Sequence, residues 1–112
     1  MDENSDIYLA SGTNDIVEND DNLPKNIMLY QNYPNPFNPP TSIRFDINRV
    51  TNIEIKIYDV NGREVATLIK EKKDVGTYTV RWDAANYPIG IYFYQMRTNT
   101  GFSEVNRMIL IK

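Results

Sequence analysis

The sequence predicts an all-β fold, a two-layer antiparallel sandwich of about seven short strands behind an acidic tail. Three observations predict it. Beyond residue 40 apolar residues recur with period two, the signature of half-buried strands. Turn signals built on Gly, Asn and Asp separate these runs, and no stretch carries a helical period.

A proline block stands before the first of these runs. Tyr33-Pro34-Asn35-Pro36-Phe37-Asn38-Pro39-Pro40 holds four of the chain's six prolines around one large aromatic. Each proline fixes φ, removes a donor and biases the preceding residue to extended backbone, so helix and sheet interior are both excluded. The block reads as a stiff strap whose Phe37 plugs into a core built by later residues. Asn35 and Asn38 are expected to bond their own backbone and complete turns.

The strands then follow in order. Thr41 to Ile47 sets Ile43, Phe45 and Ile47 against Ser42, Arg44 and Asp46, and Asn52 to Tyr58 sets Ile53, Ile55 and Ile57 against Glu54 and Lys56. Asp59-Val60-Asn61-Gly62 follows, and Asn-Gly predicts a tight primed hairpin turn. Arg63 to Lys70 should return antiparallel with Val65 and Leu68 or Ile69 inward. Glu71-Lys72-Lys73-Asp74 reads as a charged loop closed by Gly76. Tyr78, Val80 and Trp82 then share one strand face, and Ala84 to Gly90, with Pro88, reads as a connector. Ile91 to Arg97 is apolar on both faces, as in a central strand, and Asn99-Thr100-Gly101 turns it into a last strand, Phe102 to Lys112. This spacing suits a sandwich of immunoglobulin-like type with Trp82 as its anchor. So small a domain buries little more than about 60% of its unfolded surface, and truncating Trp82 to Ala should cost ~3–5 kcal/mol, nearly its whole stability.

Charge divides the chain. Residues 1–23 carry seven acidic side chains and no basic one, whereas the rest carries twelve basic against eight acidic. Residues 1–23 are therefore expected to be an acidic linker or the end of a preceding domain, and residues 24–112 the folded unit. Ile7-Tyr8-Leu9-Ala10 is the one apolar run in that tail and reads as a sticky patch or the last strand of whatever precedes it. The small, scattered basic surplus argues against nucleic acid. No apolar run approaches a membrane span of about 20 residues, and the N-terminus lacks the basic and apolar regions of a signal peptide. The chain is thus cytosolic or, as we favour, a piece of something larger, and we expect a monomer without membrane insertion.

Cysteine and histidine are both absent, which removes thiolate and imidazole nucleophiles, disulfides and His/Cys metal sites, and no cofactor is expected. Asp59, Glu71, Asp74 and Asp83 are the acids near turns. A glycosidase pair would need two of them about 5–10 Å apart in a cleft, and Asp59 and Asp83 more plausibly close turns. No loop has the dense acidic spacing of a calcium motif, so we read the chain as non-enzymatic. Tyr33, Trp82, Tyr87, Tyr92 and Tyr94 could stack on sugars, but Trp82, Tyr92 and Tyr94 lie on patterned strands. Tyr33 and Tyr87 remain as candidates for a carbohydrate-binding or adhesive accessory module.

Several blocks together resemble a known family. Leu29 to Pro39, Tyr58-Asp59-Val60-Asn61-Gly62-Arg63-Glu64-Val65, Gly76-Thr77-Tyr78, Trp82-Asp83, Gly90-Ile91-Tyr92-Phe93-Tyr94 and Met108-Ile109-Leu110-Ile111-Lys112 resemble, in order, the type A C-terminal sorting domain of the type IX secretion system. The immunoglobulin-like module of flagellar hook-capping proteins is related but matches less well at the proline block and the end. Pro40, where serine is commoner, and Ala84-Ala85-Asn86-Tyr87, in place of a Gly/Ser-rich connector, are small departures.

The resemblance implies a sorting signal at the C-terminus of an exported multidomain protein of the Bacteroidota. Such a protein crosses the periplasm and outer membrane to be secreted or displayed at the cell surface. It implies as partners the type IX translocon with its shuttle and sortase proteins, and an N-terminal passenger. Pro34, Asn35, Pro36, Phe37, Asn38, Gly62, Gly76, Tyr78, Trp82, Gly90 and Tyr92 match its structural motif. Arg107, Met108, Leu110 and Lys112 are the expected recognition patch, on a last strand whose free edge could accept a partner strand.

Overall fold

The computed structural model describes residues 22–112, and the acidic tail up to residue 21, with its Ile7-Tyr8-Leu9-Ala10 run, lies outside the described residues. The strands are β1 (Met28–Leu29), β2 (Thr41–Ile47), β3 (Thr51–Tyr58), β4 (Glu64–Lys73), β5 (Gly76–Trp82), β6 (Gly90–Thr98) and β7 (Ser103–Leu110). They build a three-stranded sheet, β1-β2-β5, and a four-stranded sheet, β4-β3-β6-β7. Every strand pairing is antiparallel. The chain changes sheet after β2, after β4 and after β5, so β5 returns beside β2 and β6 beside β3. That exchange is the immunoglobulin-like sandwich the alternation predicted.

Alternation decides what fills the space between the sheets. Ile43, Phe45 and Ile47 of β2 face Ile53, Ile55 and Ile57 of β3, Tyr94 and Met96 of β6, and Met108 and Leu110 of β7, all of them buried. Trp82 closes one end, its ring 5.4 Å from Tyr92 and 5.3 Å from Tyr87. Tyr78 stacks on Phe45 at 5.5 Å. The strand β6 is central, between β3 and β7, as expected. Its second apolar face has no third layer over it: Ile91 is exposed and Phe93 half-buried.

The hairpin between β3 and β4 forms where expected, but its turn differs. The Asp59 carbonyl accepts the Gly62 N–H at 3.0 Å and the Asp59 N–H donates to Arg63 O at 3.0 Å. The loop therefore contains Val60, Asn61 and Gly62, with Gly62 at φ 81°, a type I turn closed by a glycine bulge instead of a two-residue primed turn. The cause is Asp59, whose Oδ1 accepts the N–H groups of Asn61 at 2.9 Å and Arg63 at 3.0 Å. That side-chain bonding selects the longer turn.

Glu71, Lys72 and Lys73 also depart from expectation. They continue β4, opposite Ile53, Asn52 and Thr51, instead of forming a loop. Backbone pairing to the first half of β3 outweighs their polarity, and at a sheet edge their charges stay wet. Lys73 Nζ lies 2.7 Å from Glu71 and 4.8 Å from the centre of the Tyr78 ring. Register shifts at Ile55/Lys56 and Ile57/Tyr58 put two bulges in this edge strand. The sequence alternation gave no sign of the two-residue strand β1, which pairs Leu29 with Phe45.

Candidate recognition surface

The strap and the last strand form one unit. Phe37 is fully buried, its ring 5.9 Å from Trp82, in the seat expected for a plug. On either side of it Pro34, Asn35, Pro36 and Asn38 stay exposed, and the peptide bonds before Pro34, Pro36 and Pro40 are cis. The Phe37 backbone runs parallel to the end of β7: its N–H donates to Ile109 O at 2.8 Å and its carbonyl accepts the Ile111 N–H at 2.8 Å. Asn35 does not complete a turn of its own, because its Oδ1 is taken by the Ile109 N–H at 3.0 Å. Gln31 Nε2 donates to Arg107 O at 2.7 Å.

A buried polar network fixes the strap from behind. The Tyr94 hydroxyl donates to Tyr30 O at 2.7 Å and accepts the Asn32 N–H at 2.8 Å. Asn32 Nδ2 donates to Thr41 Oγ1 at 2.9 Å and Pro34 O at 3.1 Å, and Thr41 Oγ1 donates to Pro34 O at 2.9 Å. The bonds from Asn32 to Tyr94 and Thr41 are buried and those to Pro34 O and Tyr30 O half-buried, so loss of a buried member leaves its partner poorly compensated. Burial pushes the Tyr94 phenol above its ordinary pKa and does the same to Tyr92. Tyr94 thus stays protonated and keeps its donor. Nearby, the Asp46 carboxylate accepts from the hydroxyls of Tyr30 and Thr77, and its bond holds the Tyr30 pKa up.

The expected patch divides in two. Arg107 is exposed, and Lys112, also exposed, donates from Nζ to Ala85 O and Tyr87 O at 2.8 Å each. Met108 and Leu110 are fully buried. The period of two that puts Arg107 and Ile109 outward sends Met108 and Leu110 into the core, so the four side chains do not form one surface. The expected open edge is likewise covered from Arg107 onward by Gln31, Asn35 and Phe37. Sequence reasoning missed Gln31, Asn32, Thr41 and Tyr94 as members of this unit. One signal was present, since a tyrosine on the inner face of a central strand needs a partner for its hydroxyl.

The remaining motif residues are structural. Gly62 sits in the hairpin loop, Gly76 opens β5 beneath the Tyr78 hydroxyl, and Gly90 opens β6 opposite Leu110. The Tyr92 hydroxyl donates to Pro88 O at 2.6 Å. Asp83 accepts the Ala85 N–H, Asp74 the Val75 N–H, and Glu71 pairs with Lys73. Of the two aromatic candidates for sugar stacking, Tyr87 packs on Trp82 and Tyr92 and donates its hydroxyl to Val65 O. Only Tyr33, 80% exposed, is left, and one ring makes no platform. Among the described residues no three Asp, Glu, His or Cys side chains are placed to hold a metal.

An immunoglobulin-like sandwich whose last strand is clasped by an aromatic-bearing strap defines the class of this protein: a small β-module with its distinctive chemistry at the C-terminal ribbon. The model of the secretion system C-terminal sorting domain matches residues 31–112, and the chain belongs to that family. It is a type IX sorting signal, which marks a protein for export through the outer membrane to the cell surface or beyond. Among solved structures, that of dimeric latent PorU from Porphyromonas gingivalis is similar, with a TM-score of 0.57 and 22% identity. The similarity covers 76% of this chain and 9% of that one and concerns the fold. No curated protein sequence matches significantly.

Proposed function

We propose that residues 24–112 are a non-catalytic address read by the type IX translocon, and by its shuttle and sortase proteins, from the solvent side of the strap-clasped ribbon. Residues 1–23 would serve as the linker to an N-terminal passenger. Arg107 and Lys112 make the contacts in this reading, and Met108 and Leu110 hold the ribbon in place from beneath. The observation that supports it is the clasp, which fixes the ribbon's outward side chains to a rigid body within a sequence that matches the family through residue 112.

The test is a reporter fused ahead of the module in a type IX host, scored for surface display and for loss of the module. Deleting Arg107 to Lys112 should abolish display, but it also removes core residues. Arg107→Glu combined with Lys112→Gln changes only exposed side chains and, apart from the two bonds that Lys112 Nζ makes to Ala85 O and Tyr87 O, should leave the fold intact while lowering display at least tenfold. Undiminished display by the double variant would overturn the proposed contacts.

A further inference from the structure

A sandwich of two open sheets has four edges, and three are guarded in this protein. The strand β1 is two residues long, β4 carries two bulges and the charges of Lys70, Lys72 and Lys73, and β7 is clasped by the strap from Arg107 onward and carries Glu104 before that. The fourth, β5, has no such device. Gly76-Thr77-Tyr78-Thr79-Val80-Arg81-Trp82 pairs with β2 in unbroken register from Thr41↔Trp82 to Ile47↔Gly76, contains no proline, and carries one charge.

The direction of its backbone groups follows from the opposite side of β2. Arg44 O accepts the Tyr30 N–H, and Ser42 exchanges hydrogen bonds with Tyr33, so the even-numbered residues of β2 face the strap side. The odd-numbered ones then face β5, where Ile43 and Phe45 meet Val80 and Tyr78. This leaves the N–H and C=O groups of Thr77, Thr79 and Arg81 aimed outward, and none has a backbone partner among the described residues. All three residues are exposed.

We propose that this edge is a self-association surface, on which β5 of a second copy pairs antiparallel about a two-fold axis through Thr79. The sequence is complementary to itself in that register. Thr79 meets Thr79, Thr77 meets Arg81, and on the inner face Tyr78 meets Val80: a hydroxyl pair, a neutral residue opposite the one charge, and an aromatic opposite a β-branched residue. All three outward-aimed residues pair at once, giving about six hydrogen bonds, whereas a two-residue slip either way drops a pair. Arg81 of one copy then lies across Thr77 of the other, whose hydroxyl is bonded at 2.8 Å to the Asp46 carboxylate one strand further in, so the one charge of each edge meets a neutral partner backed by an acid. The result is a continuous six-stranded sheet, in place of the monomer expected from the sequence.

The surface can be broken without touching the core, because Thr79 is exposed and its N–H is not used within the fold. Light scattering and sedimentation of the full chain over a concentration series should show a reversible dimer. Thr79→Pro removes the central donor, and Thr79→Lys and Thr79→Glu each set like charges face to face; all three should weaken the dimer at least tenfold with unchanged circular dichroism. Mixing the Lys and Glu variants should restore it as a heterodimer. A chain monomeric up to about 1 mM, a Kd that corresponds to only about 4 kcal/mol, would overturn the proposal. So would a dimer indifferent to all three variants. A monomer whose surface display is nevertheless lost with Thr79→Pro would assign the edge to a strand of the export machinery instead, again overturning self-association. Since association is read on purified protein, its failure leaves the sorting assignment untouched.

Discussion

Two neighbouring regions at one end of the sandwich are held in different ways. At the β3–β4 hairpin everything is local: Asp59 accepts from N–H groups two and four residues on and pairs with the Arg63 guanidinium at 3.1 Å, all near solvent. At the strap the partners lie far apart in sequence, Asn35 and Ile109 at a separation of 74 positions and Tyr30 and Tyr94 at 64, and the bonds sit over a buried ring. The turn of the hairpin needs only residues 59–63. The ribbon at the C-terminal end keeps its shape only if the whole body is assembled, so a defect near residue 37 reaches the ribbon.

The largest break in this contrast is Phe37→Ala. Deleting a fully buried ring from the core should cost ~3–5 kcal/mol in denaturant unfolding. It should also speed hydrogen exchange at the Ile111 amide far more than at the Gly62 amide. Equal acceleration at both sites would mean that the two regions are not separately held. Tyr94→Phe is smaller. It strands the Asn32 N–H and leaves Tyr30 O with only the Asn106 Nδ2 donor at 3.5 Å, while packing is nearly unchanged, and should cost about 1–3 kcal/mol, again with exchange concentrated in the strap.

The smallest effect belongs to the hairpin and depends on pH. The Arg63 N–H, then the Asn61 N–H and the Arg63 guanidinium, hold the Asp59 pKa below its ordinary 3.8. A carboxylate depressed in the folded state stabilises it above the unfolded pKa, and that contribution is lost as pH falls through the folded value. The amide resonances of Asn61 and Arg63 should therefore shift cooperatively below about pH 4. Asp59→Asn should remove that titration while leaving the strap amides unmoved. If the variant keeps the same acid transition, Asp59 is not its source.

What could be read in the sequence was whatever a local period carries. The isoleucine alternations of β2 and β3 fixed their faces, and the position of Phe37, the one ring between prolines, already marked it for the core. The errors arose where a distant partner or a side-chain oxygen decided the outcome. Asp59 lengthened a turn that Asn-Gly alone would close in two residues, and pairing with β3 drew Glu71 to Lys73 into a strand. Met108 and Leu110 stood in the expected patch because the resemblance placed them there, although alternation already set them on the opposite face from Arg107. The cover that Gln31, Asn35 and Phe37 lay over β7 crosses most of the domain's length, and no window along the chain could contain it.

The clasp also has a consequence for timing. Phe37 leads its partners by some seventy positions, so its ring has no seat until β5 and β6 have packed and the final residues have arrived to take its N–H and carbonyl. Contacts that close so long a loop come late in folding. The ribbon is therefore finished in the same step that completes the body, and a half-made domain cannot pass for a whole one.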